Sequence, residues 1–190
     1  MLKPPSGRIR VCRGGVEAAP WTDNTLLYGW APIAVHRLTT PDSPYWLNTL
    51  YIEYANVADP GDPVSTPVVG RDDGLNYYAA LASVPDRDYL RVPTVGGPEF
   101  GTIPGTEATL GPGWHNLAVV RGTTANATAG VHGRPYGLQS KLCGLALASA
   151  PNRADPSADL IYGRAYWSPT QQVATIAGTN LTVEYEISFP

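Results

Sequence analysis

The stretch Leu181-Thr182-Val183-Glu184-Tyr185-Glu186-Ile187-Ser188-Phe189-Pro190 alternates apolar and polar residues without a break from Leu181 to Phe189. Side chains on a strand point to opposite faces with a period of two. Leu181, Val183, Tyr185, Ile187 and Phe189 are therefore expected on one face, with Thr182, Glu184, Glu186 and Ser188 on the other. A helix would scatter the same residues around its circumference and leave no apolar stripe.

Working outward, the rest of the chain reads the same way. No stretch longer than about ten residues escapes a Gly, Pro, Asn or Asp break, a spacing that suits strands. Strands are predicted at Arg8 to Cys12, Trp46 to Tyr54, Tyr89 to Val92, Trp114 to Val120, Leu138 to Ala148 and Leu160 to Trp167. The Leu138–Ala148 segment is apolar on both faces, the mark of a central strand covered on both sides. Thr25 to Leu38 is apolar but interrupted at Gly29 and Pro32, which predicts two strand pieces with a kink or bulge. Leu75 to Ala82 has the propensity for a short helix, with Asp72 or Asp73 as its cap. Asp59–Pro63 reads as a turn, and Gly96–Gly113 and Thr123–Gly137 as long loops. The expected fold is all-β: a jelly-roll-like Greek-key β-sandwich with long loops and at most a short helix.

Composition narrows the function classes. A chain of 190 residues suits one sandwich, and 43% apolar residues suffice for a core. Charged residues make up 15% of the chain, where about a quarter is usual. That shortage fits either a surface covered by a partner or a loop-rich domain kept soluble by Thr, Asn, Ser and Gly. A net charge of −3 gives no electrostatic case for nucleic acid. Lys3, Arg8, Arg10 and Arg13 all precede the first acid, Glu17. With Pro4, Pro5 and several glycines they suggest an extended N-terminal arm over residues 1–15, followed by one β-sandwich domain over 16–190. The arm is too sparsely basic for genome packaging. Met1–Gly7 lacks the apolar run of a secretory leader, so a reducing cytoplasm and free thiols at Cys12 and Cys143 are expected. No run approaches a transmembrane span.

No catalytic or metal-binding motif stands out. His36, His115 and His132 lack ligand spacing to one another or to a cysteine. Asp59/Asp62, Asp72/Asp73, Asp86/Asp88 and Asp155/Asp159 are paired acids that would suit calcium or glycoside chemistry, but most adjoin Pro or Gly, where Asp forms turns. No cofactor is expected. The aromatic residues, five Trp and eleven Tyr against two Phe, are types favoured where one end is apolar and the other wet. Trp21 and Trp30, near strand edges, join Lys3, Arg8, Arg10 and Arg13 as candidate interface residues; Trp46 lies in a similar setting.

Leu138-Gln139-Ser140-Lys141-Leu142-Cys143-Gly144-Leu145-Ala146-Leu147, a Pro/Asp-rich loop, Asp159-Leu160-Ile161-Tyr162-Gly163-Arg164-Ala165-Tyr166-Trp167 and the closing strand form a cadence. It resembles that of small jelly-roll decoration (cement) proteins on tailed-bacteriophage heads. The closing strand also resembles that of jelly-roll coat proteins from small RNA viruses. The resemblance covers Leu138 to Pro190, with Asp59 to Val92 as a further stretch, and brings no functional residues with it. It implies a non-enzymatic virion protein on the capsid surface, assembled in the host cytoplasm. Its partners would be the major capsid protein and further copies of itself, commonly as a homotrimer, with no membrane and no direct genome packaging. A shell-forming coat or a tail or fibre component is the neighbouring alternative. A carbohydrate-binding sandwich is the alternative from another class; it would set tryptophans on one exposed face, where a decoration protein would bury them between chains.

Overall fold

A computed structural model describes residues 5–26, 30–39, 42–56, 86–106, 110–125, 127–137, 140–176 and 179–189. Lys3, the expected Leu75–Ala82 helix and the Asp59/Asp62 and Asp72/Asp73 pairs lie outside them. The described chain forms two antiparallel sheets. Sheet 1 holds β1 (Ser6–Arg13), β2 (Val16–Asp23), β6 (Glu99–Gly101), β7 (Leu117–Thr123) and β11 (Leu181–Ser188), in the order β2-β1-β11-β7-β6. Sheet 2 holds β3 (Thr25–Leu26), β4 (Leu47–Ala55), β5 (Arg87–Pro93), β8 (Lys141–Ser149) and β9 (Leu160–Tyr166), in the order β3-β9-β8-β4-β5, and β10 (Val173–Ala174) also pairs with β8.

The two sheets share one core. From sheet 1, Ile9, Val11, Val120, Leu181, Val183, Tyr185 and Ile187 are buried; from sheet 2, so are Leu50, Ile52, Tyr54, Leu142, Leu145, Leu147 and Tyr162. Each such aliphatic side chain contributes about 1.5–3 kcal/mol on burial. Contact across the layers is close at Gly122, where a Cβ would lie 2.8 Å from Leu50 Cδ1 and 3.2 Å from Val92 Cγ2.

The closing strand behaves as its alternation predicts from Leu181 to Ile187, and β8 is central with both faces buried. Phe189 departs: it follows the end of β11 and is exposed. Three other expectations are corrected. The proposed arm at 1–15 contains β1, which is paired with β11 from Ser6↔Ser188 to Arg13↔Leu181 and with β2 on its other side. Ile9 and Val11 anchor it in the core, and Gly14 and Gly15, both at positive φ (58° and 82°), form the tight turn into β2. The Thr25–Leu38 segment gives one two-residue strand and then the helix α1 (Trp30–Thr39) instead of two strand pieces. Pro32 stands in the first turn, where the missing N–H costs nothing. Finally, the expected Gly96–Gly113 loop contains β6.

Candidate docking site

The outward face of sheet 1 carries charges that neutralise one another. Arg10 on β1, Glu184 on β11 and Arg121 on β7 are directly opposite one another, and Glu17 on β2 and Glu99 on β6 extend the row diagonally, opposite Cys12 and Val119. Arg10 Nε lies 2.5 Å from Glu184, Arg121 Nε 2.7 Å from the other Glu184 oxygen, and Arg121 Nη2 donates to Glu99 at 2.8 Å. Glu17 closes the row more loosely, 3.9 Å from Arg10. Arg8 forms a second, bidentate pair with Glu186 at 2.7 and 2.9 Å. Trp21 lies under both arginines, with guanidinium centres 4.6 and 4.7 Å from its ring.

Three of the sequence-predicted interface residues, Arg8, Arg10 and Trp21, are thus brought together, but their contacts are with their own chain. Arg13 stands apart at the end of β1 and donates to the Ala174 carbonyl at 2.5 Å. Trp30 opens α1. The charges of Arg8 and Arg10 are spent on Glu186 and Glu184, so they do not form the free basic patch that the sequence suggests.

The acids near the strand ends serve the fold. Asp159 is buried and holds Arg91 at 2.7 and 2.8 Å while accepting from the Tyr51 hydroxyl. Asp155 caps the short 3-10 turn Pro156–Ala158. Glu53 binds Arg164 at 2.7 and 2.8 Å, with both side chains buried. Cys12 and Cys143 are free and buried, and burial pushes the Cys143 thiol up to about 12. His36 packs against Tyr45 with tilted rings, His115 stacks on Phe100, and His132 meets Tyr89 edge-on. Among the described residues no three His, Cys, Asp or Glu side chains converge as metal ligands, and no helix is long and apolar enough to cross a membrane.

A different place in the fold is open. The segment from β5 to β6 crosses between the sheets, tied to sheet 2 by Thr94 N to Asn48 O (2.9 Å) and to sheet 1 by Val95 N to Arg121 O (2.8 Å). Beside it lies a cleft of about 430 Å³. Its lining includes the buried core residues Ile33, Val120 and Ile187, so it reaches into the sandwich. Trp46, Val95 and Phe100 also line it, 57%, 45% and 64% exposed. Two arginines, Arg37 and Arg121, also line it. Arg121 is occupied by Glu99 and Glu184. Arg37, one helical turn after Ile33 on α1, stacks 3.3 Å from the Trp46 ring centroid and donates to Ser43 O at 3.2 Å. It makes no ion pair among the described residues.

Of the cleft-lining residues, sequence reasoning touched Trp46 as an aromatic near a strand edge and missed Phe100, Val95 and Arg37. Phe100 lay in a segment read as loop, and Arg37 in one read as strand. Trp114 is exposed as well, on the loop before β7, whereas Trp167 is fully buried. No family model matches this chain, and comparison with curated proteins and with solved structures likewise gives no match.

Proposed function

We propose that this chain is a non-enzymatic structural protein that decorates and reinforces an icosahedral phage head, docking through the aromatic cleft. The observation that carries the docking assignment is the cleft itself: exposed Trp46 and Phe100 stand beside an opening that continues into the core. An interface core is apolar and rich in aromatic residues and arginine, and depleted in other charge. The charges of the neighbouring sheet face are largely neutralised within the chain, which leaves shape and apolar area to select a partner.

The virion assignment rests on the resemblance in the closing third of the chain. The jelly-roll reading is supported by β1 lying beside β11 and by the repeated passage between sheets, at β5–β6, β7–β8 and β10–β11. The partners are the major capsid protein and further copies of the chain, with many weak contacts adding by multivalency. Co-sedimentation with purified phage heads tests this. Wild type should bind and raise the temperature at which heads rupture, while Trp46→Ala with Phe100→Ser should keep its fold and lose binding. Failure of wild type to bind heads from any host tried, together with retention on immobilised glycans through Trp46 or Trp114, would replace this reading with the carbohydrate-binding one.

A further inference from the structure

The geometry points to a specific occupant for the cleft: a peptide segment of the partner protein that places an aromatic or branched apolar side chain inside and an adjacent carboxylate on Arg37. The inference rests on the docking reading above and adds the chemistry of the partner segment.

The apolar half follows from the lining. Ile33, Val120 and Ile187 present hydrocarbon from α1, β7 and β11, and the exposed Trp46 and Phe100 add aromatic surface to the lining. A side chain entering here is removed from water on several sides at once, the setting in which a single anchor carries much of an interface.

The acidic half follows from the state of the arginines. Arg8, Arg10, Arg91, Arg121 and Arg164 each hold a carboxylate of their own chain. Arg37, at the cleft, holds none among the described residues. Its guanidinium carbon lies over the Trp46 ring, 3.3 Å from the centroid, and one donor is directed to Ser43 O. Stacking leaves the in-plane N–H groups free, and those are the groups that grip a carboxylate by two parallel bonds. The guanidinium is therefore held in place before a partner arrives, which lowers the ordering cost of binding.

The lip suits a peptide backbone. Gly96 and Gly97 line the cleft, and a Cβ on either would meet nothing within 4 Å. A main chain can approach there without displacing a side chain.

Selection from a display library of random short peptides tests the proposal. Wild type should enrich sequences with Phe, Trp, Leu or Ile next to Asp or Glu. Arg37→Glu should keep the apolar preference and exchange the acid for Lys or Arg. A capped peptide with a phenylalanine–aspartate core should bind wild type about tenfold more tightly than its phenylalanine–asparagine counterpart, a difference that Arg37→Gln removes. Each variant is first shown to melt as wild type does. No enrichment, enrichment without an acid, or the same acidic preference in Arg37→Glu would overturn the proposal. If heads bind but the charge exchange has no effect, the docking reading stands and the carboxylate assignment falls. If the expected peptides are selected but heads are not bound, the peptide site stands and the partner is another protein.

Discussion

Asp88 holds the backbone of His132, 44 positions away in the chain: the His132 N–H lies 2.9 Å from one carboxylate oxygen and 3.1 Å from the other. Arg134 N donates to the same carboxylate at 2.9 Å and Tyr89 N at 2.7 Å. One side chain at the start of β5 thus pins the loop that leads from β7 to β8. The Tyr54 hydroxyl adds a bond to Arg134 O at 2.5 Å. Asp88→Asn keeps the shape but turns one acceptor into a donor facing N–H groups. It should cost about 1–3 kcal/mol, the usual penalty for a buried donor left unsatisfied. Thermal melting reads the loss, and hydrogen exchange at the His132 and Arg134 amides localises it. Unchanged exchange there would mean that the loop is held by other contacts.

Gly130 gives the same clamp a steric test. A single added carbon at this position would overlap both Asp88 and the Tyr54 hydroxyl. Gly130→Ala should therefore destabilise the fold by about 1–3 kcal/mol, the range for overpacking. Gly97→Ala, whose Cβ meets open space, should melt close to wild type. Equal melting temperatures for the two variants would refute the close approach.

How far the sequence revealed this arrangement depended on the range over which each signal acts. Alternation from Leu181 to Ile187 is local, so the inward face of β11 was readable. The fate of Glu184 and Glu186 was not: they read as solvent-side residues, yet they are buried beneath arginines supplied by β1 and β7. Those arginines are more than 60 positions away. The basic residues of β1 looked like a free arm because the acids that neutralise them are at the far end of the chain. β2 escaped notice because it is an edge strand that buries Ala19 and little else, with Pro20 tolerated at the edge. α1 was misread because β-branched Ile33 and Val35 favour strands, and its exposed Val35 and Leu38 spoil the helical stripe. The cleft could not be read at all, since it arises where α1, the β5–β6 crossing and two sheets meet.

Glu184 also sets an acid limit. Burial pushes its carboxyl up, but hydrogen bonds and charge from Arg10 and Arg121 outweigh that and hold it below the usual glutamate range. A carboxyl with a depressed folded pKa stabilises above its unfolded value and loses that contribution as pH falls through the folded one. The melting temperature should accordingly decline as pH drops below about 4.5. Glu184→Gln should melt lower at neutral pH and show a shallower decline between about pH 5 and pH 3. Parallel curves for the two proteins would place the acid-sensitive group elsewhere.

The two sides of β11 can be told apart directly. Tyr185 is fully buried, packs edge-on against Tyr162 and accepts a hydrogen bond from Asn24. Tyr185→Asp puts a carboxylate into the apolar core and should cost about 4 kcal/mol or more, enough to unfold a marginal domain. Phe189→Asp, at an exposed position past the strand, should shift melting by a degree or two at most. If both variants melt alike, the inward assignment is wrong.

The N-terminal strand provides the sharpest contrast between an arm and a structural element. A free arm could be removed with little effect on melting. β1 instead separates β2 from β11, contributes Ile9 and Val11 to the core, and supplies the arginines over Glu184 and Glu186. Deleting residues 1–13 would strip β2 of its sheet partner among the described residues, leave two buried glutamates without Arg8 and Arg10, and expose the backbone edge of β11. An exposed apolar edge is a template for pairing with other chains. The truncated protein should therefore accumulate as aggregate, and supplying residues 5–15 as a separate peptide during refolding should recover soluble protein by filling the vacant place beside β11. Sedimentation velocity and circular dichroism on the refolded mixture check both parts. A truncated chain that stays soluble and melts as wild type does would restore the arm and remove β1 from the core.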